Sequence, residues 1–223
     1  MPNLMANATN FPRRINMYVP AMQYSADVNY NGETRVNFGA PLAANATSVL
    51  NAASIATGTS ADLSAAVIPE AYGRCIQVVA GAANATVITV NGWDYLGQPI
   101  SEAITLNGAT PVIGNKAFKY FSNVAYTAAA TTLSIGTGVK LGLPYKTIRA
   151  VYEIGNGALV AAGTLQAPSV VDPATLTTTD PRGLYTTTTT MNGVNIISAA
   201  FNMLNDVNTA NHGGLHGIQQ AAA

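Results

Sequence analysis

The sequence predicts an all-β protein with an antiparallel β-sandwich or barrel-like body, an extended N-terminal arm and a C-terminal tail. Three observations carry this prediction. Short runs rich in β-branched residues alternate apolar and polar positions with the two-residue period of a half-buried strand. Turns of hairpin length that contain Gly and Asn separate several of these runs. The two ends of the chain have mixed or polar compositions without a regular period.

Changes in composition divide the chain into four segments. Residues 1–40 mix aromatic and aliphatic side chains with Asn and Pro, which predicts an extended arm. Residues 41–73 are rich in Ala, Ser and Thr, which is typical of a low-complexity linker or of weakly patterned strands. Residues 74–200 contain the strand and turn patterns and are predicted to form the β-rich body. Residues 201–223 are a polar C-terminal tail.

The predicted body begins with two β-branched runs, 74–80 and 86–91, and the turn Gly81–Asn84 between them indicates a hairpin. A turn at 93–99 then leads to a further strand at 100–106, where apolar residues alternate with Ser, Ala and Thr. The sequence therefore predicts three successive antiparallel strands in this part of the chain.

The next patterned segments are 116–126 and 147–162. Residues 116–126 fit either a short helix or a strand, because aromatic residues blur the helical face. Residues 147–154 alternate cleanly, and the turn Gly155–Gly157 is expected to return the chain as a second strand at 158–162.

A third hairpin is predicted around Asn192 and Gly193, the favoured two-residue turn. Its strands would be 185–191, which contains a run of Thr, and 194–199. Gly136, Gly138 and Gly142 are spaced one residue too widely for a dinucleotide-binding loop, and Gly136–Gly138 is interpreted as another turn.

Charged residues make up only 9% of the chain, against roughly 25% in ordinary soluble proteins. A surface with so little charge favours a chain that packs against other subunits over a secreted or adhesive β protein. Ten basic residues balance ten acidic ones, so neither nucleic acid nor an anionic membrane is predicted as a partner. Neither a standard export signal nor an apolar stretch of membrane-spanning length is recognised.

No catalytic, cofactor-binding or metal-binding residues are predicted. His212 and His216 are the two histidines, and the glycines between them oppose the helix that would bring them together. Cys75 is the single cysteine, so no intramolecular disulfide can form, and we interpret it as a small buried hydrophobe. Glu102 interrupts the apolar face of its strand, which favours a charge at a sheet edge or paired across strands.

Four motifs follow one another between residues 74 and 190: Trp93–Glu102, Lys116–Lys119, Gly136–Gly138 leading to Leu141–Tyr145, and Thr179–Tyr185. In this order they resemble the virion structural proteins of tailed bacteriophages, in particular the capsid decoration or cement proteins. The resemblance implies a β-rich, non-enzymatic module that binds the capsid exterior and bridges capsid subunits.

The expected partners are the major capsid protein and sister subunits, in a homo-dimer or homo-trimer within a virion made in the host cytoplasm. A neck, tail or fibre-associated component is the nearest alternative. A host-glycan-binding module is a third interpretation, which predicts a surface lined by aromatic side chains.

The predicted arm concentrates residue types that are enriched in interfaces, namely Phe11, Arg13, Arg14, Tyr18 and Tyr24. We expect these side chains to dock on a neighbouring subunit. The alternative is that the arm packs on its own domain and covers a sheet edge.

Overall fold

The computed structural model describes residues 29–30, 33–56, 58–81, 85–128, 130–169, 174–203 and 205–206. The predicted all-β fold class is confirmed: these residues form strands and no helix, and their sheets are antiparallel, including a curled half-barrel.

Within this part of the chain the strands run as follows. They are β1 (Asn29–Tyr30), β2 (Glu33–Gly39), β3 (Asn45–Ile55), β4 (Ser60–Asp62), β5 (Arg74–Val79), β6 (Val87–Trp93), β7 (Pro99–Thr105), β8 (Val112–Ile113), β9 (Tyr120–Tyr126), β10 (Ala130–Gly142), β11 (Thr147–Gly155), β12 (Ala158–Val160), β13 (Thr164–Gln166), β14 (Leu184–Thr186), β15 (Ile197–Met203) and β16 (Asn205–Asp206).

Three larger sheets organise these strands. The β6 sheet has the order β4-β9-β6-β7, and the β11 sheet has the order β12-β11-β15-β2. The β10 sheet has the order β13-β14-β10-β5-β8, and β3 also pairs with β10. β1 and β16 form a separate pair.

The hydrophobic core lies between facing sheets. Its larger part joins the inner side of the β6 sheet to β5 and the first half of β10, with Ile76, Val78, Ile88, Val90 and Phe121 among its members. A smaller part packs the β11 sheet against β14 and the end of β10. The body is therefore held by buried apolar side chains of opposed layers, as in a sandwich.

The predicted hairpin of residues 74–80 and 86–91 is wrong. β5 pairs with β10 and β8, whereas β6 pairs with β7 and β9. Cys75 and Ile76, which are neighbours on β5, are both fully buried, so the strand is covered on both faces and lies inside a sheet. β5 and β6 consequently face each other across the core, where Ile76 and Ile88 belong to the same cluster.

The predicted hairpin at Asn192-Gly193 is also wrong, because β14 ends at Thr186 and β15 begins only at Ile197. The carboxylate of Glu153 accepts hydrogen bonds from the backbone N–H groups of Thr188 and Thr189. These bonds hold the threonine run in a loop, although its β propensity favours a strand. The Glu153 carboxylate thus accepts backbone hydrogen bonds that a neighbouring strand would accept in the predicted hairpin.

Gly136–Gly138 is not a turn but part of the long strand β10. A Cβ atom at Gly136 would collide with the backbone of β3 at Asn45, and one at Gly138 would collide with Cys75 Sγ. Glycine is used here because the neighbouring strands approach β10 too closely for a side chain.

Other local predictions are confirmed. β11 and β12 form the expected hairpin, and Asn156 and Gly157 at its turn have φ values of 51° and 81°, as a two-residue hairpin turn requires. β6 and β7 pair in register around the turn at 94–98. The segment 116–126, predicted as helix or strand, contains strand β9.

The folded body extends beyond residues 74–200. β2, which falls within the predicted arm 1–40, pairs with β15 and buries Val36 and Phe38 between exposed positions. In the segment 41–73, β3 pairs with β10 and β4 with β9, so the strand alternative holds there. β15 continues to Met203, within the predicted tail. These segments join the body because they complete sheets of strands distant in sequence.

Candidate interaction surface

Many of the few charged side chains are buried. Of the fourteen charged side chains whose surroundings the structure describes, eight lie in the interior: Glu70, Arg74, Asp94, Glu102, Lys116, Glu153, Asp180 and Arg182. The outer surface of the described body is therefore poorer in charge than the composition alone suggests. Such a surface offers few charges that must be desolvated when another molecule covers it.

Two ion pairs compensate part of this buried charge. Arg74 Nη1 lies 2.9 Å from Glu70 Oε1, and Arg182 Nη1 lies 2.8 Å from Asp94 Oδ2. The Asp94 carboxylate also accepts the backbone N–H groups of Leu96 and Gln98. The pair formed by Arg182 fastens the segment before β14 to the turn between β6 and β7, and so it fixes the position of that turn.

Glu153 is held by hydrogen bonds instead of by an ion pair. Its Oε2 accepts the hydroxyl of Tyr185 at 2.7 Å and the backbone N–H of Thr188, and its Oε1 accepts the backbone N–H of Thr189. Burial, together with this bond, raises the pKa of Tyr185 above its usual range. The hydroxyl therefore stays protonated and keeps donating to the carboxylate.

Glu102 lies on the edge strand β7, and its carboxylate is buried on the inner side of the sheet. Burial raises the pKa of Glu102 to about 7, although the backbone N–H of Asn115 and the ammonium groups of Lys116 and Lys140 favour its charged form. Its Oε2 atom has no hydrogen-bond partner among the described residues. Glu102 is thus a buried acid that titrates near neutral pH.

Cys75 is fully buried, as predicted, and burial raises the pKa of its thiol to about 11. The thiolate that nucleophilic or metal chemistry would need is therefore disfavoured. Among the described residues, no three His, Cys, Asp or Glu side chains are grouped where they could hold a metal ion. In the same part of the chain, no helix has the length and apolar character needed to cross a membrane.

Large apolar side chains occupy much of the surface that charges leave free. Those exposed are Leu42, Val67, Val87, Trp93, Leu96, Tyr120, Val139, Ile148, Leu159, Leu176, Val194 and Ile196. Single exposed apolar side chains are common, whereas neighbouring ones indicate an interaction site. Two groups of neighbours occur, one on a sheet face and one beside a pair of grooves.

The first group lies on the outer face of the β6 sheet. Trp93 on β6 is directly opposite Pro99 on β7 and Tyr120 on β9, and Tyr120 is opposite Val67. Trp93 is 39% exposed and Tyr120 is 42% exposed. We call Pro99, Trp93, Tyr120 and Val67 the aromatic row.

A polar row crosses the same strands beside the aromatic row. Ser101 Oγ donates to Asn91 Oδ1 at 2.7 Å, and Asn91 Nδ2 donates to Asn123 Oδ1 at 2.8 Å. Asp62 lies opposite Asn123 on β4, and a backbone hydrogen bond from Ser64 holds the pKa of the Asp62 carboxyl below its usual value. We call Ser101, Asn91, Asn123 and Asp62 the amide row.

The second group borders two adjoining grooves with cavity volumes of about 520 and 550 Å³, which share Leu42, Pro69 and Glu70. Asn192 lines one of them, and Gly193 donates its backbone N–H to Pro41 at 2.8 Å. The loop that carries Val194, 75% exposed, is thereby fixed beside Leu42. We call Leu42 and Val194 the loop patch.

The predicted interface residues of the arm, Phe11, Arg13, Arg14, Tyr18 and Tyr24, lie outside the described residues, as do His212 and His216. Their docking stays a prediction. The two surface groups were not predicted from the sequence. Asn91 was predicted to end a strand and Trp93 to begin the turn at 93–99, and their partners on β9 come from a segment about thirty residues away.

Comparison of the chain with protein-family models, with curated proteins and with solved structures finds no match.

Proposed function

We propose that this protein is a non-enzymatic structural component of a tailed-bacteriophage virion, which binds the capsid exterior and bridges capsid subunits. One observation supports this proposal above the others. Eight of the fourteen charged side chains in the described part of the chain are buried, while large apolar side chains such as Leu42 and Val194 are exposed. That distribution is typical of a protein that works in contact with neighbours.

The physical role of such a protein is to shift an assembly equilibrium. A subunit that binds the assembled lattice, but not its separate parts, stabilises the lattice by its binding free energy. A standard interface buries about 1,600 Å² in total. The loop patch is suited to the centre of such an interface, because it is apolar and its backbone is held by the hydrogen bond from Gly193 to Pro41.

The location is tested by immunogold labelling of intact virions with antibodies against this protein. We expect gold particles on the capsid exterior. Label confined to the neck, tail or fibres would overturn capsid binding in favour of the alternative location, and the absence of label and of the protein from purified virions would overturn both.

The contact itself is tested with purified protein and capsids that lack it. We expect the protein to co-sediment with assembled capsids, and Val194→Asp to weaken that binding by about tenfold or more, because a buried unpaired carboxylate is costly. Leu176→Asp is the matched control, since Leu176 is also exposed but lies beside β7, outside the loop patch. Equal binding by both variants would contradict the assignment of the loop patch.

A further inference from the structure

The outer face of the β6 sheet carries aromatic side chains that the core does not require. The inner side of the same strands buries Ile88, Val90 and Phe121, which already fill the space beneath the sheet. Trp93 and Tyr120 lie on the opposite side, with about two fifths of each residue exposed. A ligand can therefore contact the large, rigid rings of these two residues.

The aromatic row is long and flat enough for an extended ligand. Neighbouring strands lie about 4.8 Å apart, so the four residues of the row span about 14 Å. That length accommodates more than one linked sugar ring. The faces of aromatic rings carry partial negative charge and attract the C–H groups of a pyranose ring laid upon them.

The amide row supplies the polar half of such a site. Each sugar hydroxyl both donates and accepts a hydrogen bond, and an asparagine amide offers both functions on one side chain. The bonds within the row use Oδ1 of Asn91 and Oδ1 of Asn123 as acceptors. The Nδ2 group of Asn123 therefore lies at the end of an oriented chain of amides, and the residue paired with Asn123 on β4 is Asp62.

The charge of the two rows selects the class of sugar. Asp62 is the single charged residue in them, so an anionic polysaccharide would meet a carboxylate and no cation. Lys119 precedes Tyr120, but its ammonium group is bonded to the backbone carbonyls of Ile68, Pro69 and Glu70. This distribution of charge is complementary to an uncharged glycan.

We infer that the outer face of the β6 sheet binds a neutral hexose polysaccharide. Trp93 and Tyr120 lie under the sugar rings, and the amide row binds their hydroxyl groups. This activity is distinct from capsid attachment through the loop patch, because neither Trp93 nor Tyr120 belongs to that patch, although Val67 at the end of the aromatic row lines the groove beside it.

The test uses the full chain and its intrinsic fluorescence, since Trp93 is the only tryptophan. The probes are neutral hexose hexasaccharides in α1,4 and β1,4 linkage, with a uronic acid hexasaccharide as the anionic comparison. We expect a saturable change of tryptophan emission with a neutral probe and none with the uronic acid. No response to any neutral probe, or a response to the uronic acid alone, would overturn the inference.

Calorimetric titration of variants with the responding probe places the site. Trp93→Ala and Tyr120→Ala should each weaken binding by about tenfold, whereas Leu159→Ala, which removes a 71% exposed side chain from another sheet, should leave it unchanged. Thermal unfolding confirms that the variants fold. Unchanged affinity in both aromatic variants, or an equal loss in the Leu159 variant, would refute the assignment. Capsid binding by Trp93→Ala should stay unaltered, which separates this site from the proposed function.

Discussion

Replacement of Arg182 by methionine is expected to lower the free energy of unfolding by about 3–5 kcal/mol. Arg182 is buried, and its guanidinium pairs with Asp94 at 2.8 Å and lies 5.1 Å from the ring centroid of Tyr95. Methionine fills part of the same volume but leaves the Asp94 carboxylate buried without its opposite charge. Urea unfolding followed by circular dichroism measures the change.

Arg149→Met is the matched control, because Arg149 is exposed and its loss should change the free energy of unfolding by no more than about 0.5 kcal/mol. A second variant that combines Arg182→Met with Asp94→Asn removes both charges, and it should regain part of the lost stability. Equal effects of Arg182→Met and Arg149→Met would show that the ion pair does not hold the turn between β6 and β7.

The free energy of unfolding should fall as the pH rises from about 4.5 to about 7, and Glu102 is the expected cause. Its ordinary pKa is 4.5, and burial raises it to about 7 in the folded chain. The folded state therefore binds more protons than the unfolded state in this window, so stability is full below pH 4.5 and is lost as the pH rises through 7. This rise in the pKa of Glu102 corresponds to a loss in the free energy of unfolding on the order of 3 kcal/mol.

The comparison of the native chain with Glu102→Gln at pH 5 and pH 8 isolates this contribution. The amide cannot ionise, so the urea midpoint of the variant should depend much less on pH in this window. His212 and His216 are present in both proteins, so any contribution from them cancels in the difference. The pKa of Asp62 is lowered from its ordinary value, so the ionisation of this residue affects stability only at a pH below the window. Parallel pH profiles of the two proteins would exclude Glu102 as the source.

Both predictions concern buried charged groups, and the burial of these groups also affects the composition of the surface. Because these charged side chains lie in the interior, the exterior carries Thr, Asn, Ala and exposed apolar side chains. Well-packed apolar residues often stabilise a core as well as a buried ion pair does. The buried pairs therefore contribute most by fixing specific loops and turns, such as the turn that follows Trp93.

The sequence by itself determined the all-β class and two of the local hairpins. Alternation with a two-residue period predicts which side chains share a face, and the turns at 94–98 and 155–157 join strands that are adjacent along the chain. Both signals are contained within a few neighbouring residues. The burial of Cys75 followed in the same way, from the apolar run around it.

The tertiary structure alone decided which distant strands meet. β5 looks like a hairpin partner of β6, but its two edges pair with β10 and β8, and side chains on both of its faces are buried. The threonine run has strand propensity, yet the Glu153 carboxylate captures its backbone N–H groups. Trp93 meets Tyr120 only because β9 pairs with β6. A periodic pattern specifies the face of a residue and not its neighbour across the sheet, because that neighbour depends on how the whole chain buries its apolar surface.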